Sequence, residues 1–363
     1  MNKIALVNCY MGTLPNYFQL FLDSAVRNPD IDFYIFNDET EKINVSHNVK
    51  IIPLSLGEFN KLASSKLELS IGVTHNHGYK LCDLKPAYGV IFEDYLRGYD
   101  FWGYCDIDII WGKVTNFVTP EVLSSHDVIT VEKTHLAGHF TLFRNSGITI
   151  DLFRQTEDYK KVFADINRAY WFDESCKRFG RYYPIQELID SAQTVSMYDI
   201  VMELSQKKQL RLFMKYVIRE YPDPFRFVYR NGILEDSNVY LGLDENGHGY
   251  FKELDTKEQF MYFHLYHVKS DWRFYISQLD RLPSEFHVTS AGIIPGAPND
   301  LISVNKWRIQ KILFSGAFLA QSLSEMGLFS FLKRLTSKLN KRVTKGEPLR
   351  LREICRTGSH YPS

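Results

Sequence analysis

Two aspartates separated by one residue, Asp106 and Asp108, end an aromatic and apolar run that begins at Phe101. Alternate side chains of a strand point the same way, so both carboxylates can share one face while Cys105 and Ile107 face the core. Hard divalent cations that bridge phosphates take such oxygen ligands, usually one or two per site. The alternative is an exposed aspartate pair at a strand–loop junction. Because unpaired charges at the end of a buried strand are costly, we favour a metal–diphosphate site.

Strands and helices alternate through the first half of the chain. The pattern predicts strands at 3–8, 32–36, 49–53, 101–107 and 127–131, and helices at 17–26 and 84–96. This rhythm is typical of an α/β fold with a mostly parallel twisted sheet and helices on both faces. Ligands in such sheets bind beyond the carboxyl ends of the strands. Asp38, Asp106 and Asp108 all fall at such ends.

The second half has a mixed pattern. Strands are predicted at 140–143 and 260–267, short antiparallel strands at 216–218, 227–229 and 249–251, helical stretches at 148–162 and 187–206, and a loop at 283–298. We predict a catalytic domain at 1–282, with a nucleotide-binding half at 1–135 and an acceptor half at 136–282. A linker at 283–304 and a basic helical extension at 305–363 follow.

Composition excludes several classes of protein. Among 363 residues, 45% are hydrophobic and 15% aromatic, which is enough for a packed core, and the net charge is zero, so no nucleic-acid partner is expected. Five scattered cysteines without a CxxC pair predict free buried thiols rather than disulfides or a zinc site. The sequence shows no secretory signal and no apolar run of about 18 residues. These features predict a cytoplasmic protein.

The last segment of the chain is strongly basic. Residues 301–363 hold 12 of the 43 Lys and Arg residues but only 3 of the 43 Asp and Glu residues. Apolar residues from Leu328 to Val343 recur at helical spacing, with basic residues between them. One interpretation is a helix packed on the catalytic domain with a solvated basic face. The other is peripheral contact of 305–345 with the anionic inner face of the cytoplasmic membrane.

An ordered set of motifs resembles bacterial glycosyltransferases of the GT-A fold, in particular uncharacterised members from polysaccharide gene clusters. The resemblance covers residues 1–275. Its motifs lie at 7–10, 36–38, 80–89, 103–108, 138–145, 172–174 and 263–269. It implies a GT-A fold and transfer of a sugar from a nucleotide-diphosphate donor.

The resemblance also implies roles around the donor. Asp106 and Asp108 would hold Mn²⁺ or Mg²⁺, Asp108 directly and Asp106 through water or with a contact to the ribose instead. A late histidine, His264, would complete the coordination. Imidazole with two carboxylates suits Mn²⁺ somewhat better. Satisfied core imidazoles are the alternative for His264 and His267. Lys269 would meet the diphosphate.

Other residues at strand and helix ends have two interpretations each. Asp83 and Lys85 either begin a helix with Pro86 in its first turn or contact the nucleotide and a phosphate. Asn8, Tyr10 and Asp38 are candidates for the base or ribose.

The resemblance further implies an acidic general base at a helix start. Asp173 or Glu174 would remove the proton from an acceptor hydroxyl, which requires an approach within about 3 Å. The alternative is a helix cap with a carboxylate that complements the dipole. His139, Arg144 and His267 are candidate acceptor contacts, although turn and capping roles are equally open for His139 and Arg144.

The functional prediction is therefore a metal-dependent, inverting glycosyltransferase. It would use a UDP-sugar and a glycan or lipid-linked oligosaccharide acceptor in capsule or O-antigen assembly. Two rivals remain. One is a nucleotidyltransferase or hydrolase that acts on a sugar nucleotide through the same carboxylate–metal chemistry. The other is a non-catalytic glycan-binding protein, which the aromatic content would suit.

Overall fold

A computed structural model describes residues 2–38, 46–176, 193–220, 226–237, 239–243, 249–253, 258–269, 283–289 and 292–295. The chain divides into two compact units, Met1–Ile218 and Arg219–Ser363. The division falls inside the predicted catalytic domain 1–282, and the predicted domain boundaries stay predictions. The predicted basic extension, 305–363, lies outside the described residues.

The first unit alternates strands and helices, as the sequence predicts. Its strands are β1 (Ile4–Tyr10), β2 (Ile31–Asn37), β3 (Val49–Pro53), β4 (Phe101–Cys105), β5 (Ile109–Trp111), β6 (Val128–Thr130), β7 (Phe140–Arg144) and β8 (Leu212–Met214). Its described helices are α1 (Phe18–Ala25), α2 (Leu56–Leu67), α3 (Lys80–Leu84), α4 (Tyr88–Ile91), α5 (Glu93–Leu96), α6 (Pro120–Ser125), α7 (Asp158–Ala164) and α8 (Met197–Gln206).

The main sheet has the strand order β3-β2-β1-β4-β7-β6-β8 in the described part of the chain. Neighbours are parallel from β3 to β4 and between β6 and β8, while β7 runs antiparallel to both β4 and β6. The predicted α/β class with a mostly parallel sheet is confirmed. The sheet order also brings the carboxyl ends of β1, β2 and β4 to one edge.

Both faces of this sheet are covered by helices, which is why its strands are largely apolar. On one face Phe33 packs against Phe21 of α1, with ring centroids 5.8 Å apart. On the other face Phe36 stacks on Phe92, next to α4, at 4.1 Å. Since successive side chains of a strand point to opposite faces, the continuous apolar run of β2 supplies both contacts. This double burial fixes the register that places the strand ends.

The second unit contains further strands, most of them in antiparallel pairs. They are β9 (Arg226–Arg230), β10 (Ile233–Ser237), β11 (Val239–Leu243), β12 (Gly249–Glu253), β13 (Gln259–Phe260), β14 (Tyr262–His264), β15 (Glu285–Thr289) and β16 (Gly292–Pro295). One sheet has the order β13-β10-β9-β15-β16, and β11 pairs with β12. The antiparallel strands predicted near 227–229 and 249–251 are confirmed.

Several local predictions need correction. The helix predicted over 84–96 is broken into α3, a 3-10 turn at Lys85–Ala87, α4 and α5, because Pro86 lacks the N–H that a continuous helix requires. The stretch 148–162 likewise forms 3-10 turns before α7. The sequence analysis missed α2, which begins at a capping box formed by Ser55 and Glu58.

The second half needs corrections as well. Residues 216–218 form no strand. The strand predicted over 260–267 ends at His264, and a 3-10 turn follows it. The loop predicted at 283–298 contains β15 and β16 as a hairpin, because Phe286 and Val288 alternate inward and are fully buried. Within the described residues, no helix is long and apolar enough to cross a bilayer.

Candidate active site

Most of the predicted site residues of the first unit meet at one edge of the main sheet. Parallel strands β1, β2 and β4 all end there, and Tyr10 lies opposite Asn37 in the register. Because β7 is antiparallel to β4, its first residue, Phe140, pairs with the last residue of β4, Cys105. The segment that precedes β7 therefore joins the same edge and lies beside the aspartate pair.

Asp106 and Asp108 lie in a turn between β4 and β5. Strand β4 ends at Cys105, and the backbone N–H of Asp106 donates to the carbonyl of His139 at 3.3 Å. The side chain of Asp106 is one-third exposed, whereas Asp108 is buried. The pair follows a buried strand as predicted, but the carboxylates leave from a turn and not from alternate positions of the strand.

Lys85 is the buried cation of the site. Its Nζ donates to Asp106 Oδ1 at 2.7 Å and to the Gly138 carbonyl at 2.8 Å. The same Nζ lies 3.8 Å from Asp173 Oδ2. Burial by itself lowers the pKa of Lys85, but Asp106, Cys82 and Asp173 together raise it, and the net pKa lies well above its usual range. Lys85 is therefore a fixed positive charge between two carboxylates. Its predicted phosphate contact stays a prediction.

Asp173 and Glu174 lie next to Lys85 and Gly138. Glu174 Oε1 accepts from the Gly138 N–H at 3.1 Å, and the carbonyl of Asp173 accepts from the Tyr104 hydroxyl at 3.2 Å. Asp173 is 2% exposed. Burial raises the pKa of its carboxyl well above the usual range, although Lys85 lowers it. Burial therefore opposes the charged form of this carboxyl, and the neighbouring Lys85 supports it. The helix predicted to begin here falls partly on 177–192, outside the described residues.

Two buried acceptor atoms at this edge have no hydrogen-bond partner among the described residues. They are Oδ1 of Asp173 and Oδ1 of Asn8. Asn8 is 5% exposed, and its Nδ2 already donates to the Cys105 carbonyl at 2.6 Å, which leaves its oxygen as the open group. An unsatisfied buried acceptor costs free energy unless a ligand or water supplies a donor. Any group that satisfies these two atoms, whether water or ligand, must donate a hydrogen bond to each.

The end of β2 carries a second polar cluster. Asp38 Oδ1 accepts from the Gly12 N–H at 2.6 Å, and its Oδ2 lies 3.6 Å from Nε2 of His75, an exposed residue that the sequence analysis missed. Asn37 Nδ2 donates to the carbonyls of Tyr10 and Gly12. These contacts fix the turn after β1 against the end of β2. The predicted base or ribose contacts of Asn8, Tyr10 and Asp38 stay predictions.

Asp83 has a different environment from the one predicted. It is fully buried, and its carboxylate accepts from the backbone N–H groups of Tyr170 and Phe172 at 2.9 to 3.0 Å. Lys80 Nζ donates to it at 2.9 Å. Burial raises the pKa of Asp83, while Lys80 and the backbone donors lower it. These contacts favour a role in holding the 170–172 segment over a direct contact with nucleotide.

The predicted acceptor residues of the first unit, His139 and Arg144, lie at opposite ends of β7. His139 precedes β7 and is buried at the site edge. Arg144 ends β7 and pairs with Phe101 at the opposite edge of the sheet. There its guanidinium donates to Asp127 at 2.9 Å and to two backbone carbonyls. We therefore assign Arg144 to this ion pair and not to the acceptor.

The second unit contains the predicted residues His264, His267 and Lys269. His264 ends β14, is buried, and its Nδ1 lies 2.9 Å from Glu220 Oε1. His267 Nε2 lies 3.8 Å from the other oxygen of Glu220, and Lys269 Nζ lies 5.5 Å from the Tyr266 ring centroid. A carboxylate on one nitrogen is the usual support for a histidine that binds a metal through the other. The metal role of His264 and the roles of His267 and Lys269 stay predictions.

The donor groups of the first unit fit a hard divalent cation. Asp106 and Asp108 supply two carboxylates within one turn, and Mg²⁺ and Mn²⁺ prefer such oxygen ligands. A cation would also reduce the repulsion among the clustered acidic residues.

Two further residues, Gly138 at the site and Lys80 beside Asp83, were not among the sequence candidates. Both lie inside motifs of the resemblance, and Lys80 stands three residues before Asp83, at ion-pair spacing for a helix. An alanine Cβ at Gly138 would lie 2.6 Å from Glu174 Oε1 and 2.7 Å from Asp173 Oδ2. A glycine requirement of this kind depends on a long-range contact, so the sequence alone carries no signal for it.

Comparison with known protein families gives a match over residues 6–296 to a family of unknown function, DUF6625. The chain belongs to this family. No curated protein matches the chain. The family assignment therefore defines relatives but names no activity.

Several solved structures are similar to parts of the chain. Mouse xyloside xylosyltransferase 1 in its apo form has a TM-score of 0.36 at 10% identity, over 61% of this chain and 88% of that one. Galactosyltransferase LgtC with donor and acceptor sugar analogues has a TM-score of 0.26 at 11% identity, over 52% and 70%. GlyE of Streptococcus pneumoniae TIGR4 has a TM-score of 0.26 at 12% identity, over 62% and 57%. At these values the likeness carries no functional assignment.

Proposed function

We propose that this DUF6625 protein is a metal-dependent glycosyltransferase of GT-A type that uses a nucleotide-diphosphate sugar, with a UDP-sugar as the favoured donor. The observation that carries the proposal is the cluster of Asp106, Asp108, Asp173 and Lys85 where β1 and β4 end. Carboxylates in a turn suit a cation and its diphosphate. The open acceptor atoms of Asn8 and Asp173 suit the hydroxyl groups of a sugar nucleotide.

Each residue of the cluster would have a separate role. Asp108, with Asp106, would hold Mn²⁺ or Mg²⁺, which when bound supplies charge stabilisation for a departing nucleoside diphosphate. Lys85 would keep Asp106 in place through its 2.7 Å contact. Oδ1 of Asn8 would accept a hydrogen bond from a hydroxyl group of the sugar nucleotide. His264 stays the predicted further ligand.

We assign the general base to Asp173. Glu174 already accepts from the Gly138 N–H, so its Oε1 is engaged in holding the backbone. Asp173 has one oxygen without a partner among the described residues, and burial raises its pKa. A base with a raised pKa takes a proton more readily from an attacking hydroxyl. Asp173 would take the proton of the acceptor hydroxyl while the hydroxyl oxygen bonds to the anomeric carbon and the nucleoside diphosphate leaves, and such a direct displacement inverts the anomeric configuration. A glycan or lipid-linked oligosaccharide of capsule or O-antigen assembly is the acceptor class we propose.

The proposal is tested by incubating the purified protein with a panel of nucleotide sugars, with Mn²⁺ or with a chelator. We expect one donor to release nucleoside diphosphate in Mn²⁺ only. Asp108→Asn should lower this turnover by about 100-fold or more, because a neutral amide is a poor ligand for a hard cation. Asp94→Asn is the matched control, since Asp94 is exposed and pairs with Arg97. The anomeric configuration of the product, measured by NMR, tests inversion.

The same assay separates the rivals. Pyrophosphate or free sugar as the main product would favour a nucleotidyltransferase or hydrolase. Nucleotide-sugar binding without turnover of any donor would favour a glycan-binding protein. Normal turnover by Asp108→Asn would end the metal-site hypothesis. Action at the inner face of the cytoplasmic membrane through 305–345 stays a prediction from the sequence.

A further inference from the structure

A buried ion pair contacts the segment that precedes the proposed base. Lys80 and Asp83, both in α3, are 1% and 0% exposed. Asp83 accepts two bonds from the Tyr170 N–H and one from the Phe172 N–H, all at 2.9 to 3.0 Å. The partners are more than 80 residues apart in the chain. A buried charge with this many long-range bonds fixes the backbone of 170–172 in place.

The segment that Asp83 holds is conformationally unusual. Trp171, between the two donating residues, has a φ of 53°, in the left-handed region that bulky residues rarely adopt. Backbone N–H groups on either side of a left-handed residue can converge on one anion. Here the anion is the carboxylate of Asp83. Strain of this kind persists only where the surroundings enforce it, and it concentrates at functional sites.

Lys80 completes the anchor. Its Nζ donates to Asp83 at 2.9 Å, to the Arg168 carbonyl at 3.1 Å and to the Val162 carbonyl. An ammonium has three protons, so each of them has an acceptor. The pair thereby ties the end of α7, the start of the 168–174 segment and the left-handed turn to one short helix.

The anchored segment leads straight into the site. Asp173 follows Phe172, and its Oδ2 lies 3.8 Å from Lys85 Nζ. Lys85 follows α3 immediately, so the element that carries the buried pair also carries the cation that faces Asp173. The separation between Lys85 and Asp173 is thus set from both sides by residues 80–85.

We propose that Asp83, neutralised by Lys80, is a positioning residue that holds Asp173 for proton transfer. This inference rests on the proposed function, in which Asp173 is the base. Asp83 has no exposed surface for substrate, so it acts through the backbone of 170–172 that it holds. Its loss should lower kcat, whereas the affinity for nucleoside diphosphate should stay unchanged.

The test compares Asp83→Asn, Asp173→Asn and the double variant in single-turnover consumption of the donor. We expect Asp83→Asn to lower the rate by about 10- to 100-fold, since a misplacement near 1 Å can cost about 100-fold. If Asp83 acts through Asp173, the double variant should be no slower than Asp173→Asn alone, within about threefold. Independent structural damage would instead multiply the two effects. Isothermal titration of nucleoside diphosphate with Mn²⁺ should give the wild-type Kd within about threefold.

Folding is controlled with two further variants. Combining Lys80→Met with Asp83→Asn removes both buried charges. The asparagine offers the N–H groups of Tyr170 and Phe172 one acceptor oxygen where the carboxylate offered two, so the kcat of this variant should stay low. Asp158→Asn is the matched control. Asp158 also accepts a backbone N–H, that of Val195 at 2.8 Å, but it holds a different segment. This variant should keep wild-type kcat.

The outcomes are distinct. The positioning role would be overturned by a wild-type kcat in folded Asp83→Asn or in the combined Lys80→Met and Asp83→Asn variant. It would also be overturned if the effects of Asp83→Asn and Asp173→Asn multiplied. Both results would leave the glycosyltransferase proposal standing. Full activity of Asp173→Asn, or no turnover of any nucleotide sugar by the wild type, would overturn both. A fall in kcat that Asp158→Asn reproduces would also overturn the positioning role.

Discussion

Gly138→Ala gives the sharpest test of the site geometry. The new Cβ would lie 2.6 Å from Glu174 Oε1 and 2.7 Å from Asp173 Oδ2. Ordinary contact begins at 3.4 Å, so these oxygens must move by about 0.8 and 0.7 Å respectively. The φ of Gly138 is not in the left-handed region, so the substitution acts through crowding and not through backbone strain.

The two carboxylates differ in how easily they can move. Glu174 is half-buried and can rotate away at the loss of its bond from the Gly138 N–H. Asp173 is buried, and its backbone is held by the Tyr104 hydroxyl, so its shift changes the contact with Lys85. Overpacking of this size costs about 1–3 kcal/mol of stability. A shift near 0.7 Å at the proposed base should lower kcat by roughly 10- to 100-fold.

The assay is nucleoside diphosphate release at saturating Mn²⁺ and donor, corrected for the folded fraction from urea unfolding. Gly57→Ala is the control, because Gly57 lies in α2 and a Cβ there would meet nothing within 4 Å. It should raise stability by about 0.5–1 kcal/mol and leave kcat unchanged. If folded Gly138→Ala has the kcat of the wild type, then the placement of Asp173 against Gly138 does not matter for turnover, and our assignment of the base is refuted.

Two further predictions concern stability. Hydrogen bonds from Arg211 hold the pKa of Asp127 below its usual range despite burial, with a smaller contribution from Arg144. A carboxyl whose pKa is lowered by folding stabilises the folded state at pH values above its unfolded pKa of about 4. This stabilisation is lost as the pH falls from there through the folded pKa. Asp127→Asn should therefore lower the free energy of unfolding, measured in urea, by about 1–2 kcal/mol at pH 7 and by less at pH 3. An equal difference at both pH values would contradict the ion-pair explanation. Glu68 is exposed and follows α2 directly, with a left-handed φ of 55°. Because glycine adopts this conformation without strain, Glu68→Gly should raise the free energy of unfolding by about 1 kcal/mol. A loss of stability would show that the Glu68 side chain makes a stabilising contact.

The apolar patterns carried most of the fold information in the first unit. Runs of consecutive apolar residues predict β1 to β4 because strands buried on both faces need them, and polar residues at their ends mark one edge of the sheet. Local spacing also indicated the aspartate pair. It did not indicate the break at Pro86 or the hairpin of β15 and β16, where a weak period-two pattern competes with turn-forming residues.

Tertiary structure decided what each site residue does. Lys85 reaches Asp106 across 21 residues and Gly138 across 53, and Asp83 reaches Tyr170 across 87. Sequence spacing reports only neighbours within a turn of helix or a pair of strand positions, so it left Asp83 and Lys85 with two interpretations, a helix start or a contact with the nucleotide and a phosphate. The antiparallel direction of β7 likewise separates Arg144 from His139. Residue types therefore determined which chemistry is available, and long-range packing determined which of those groups touch.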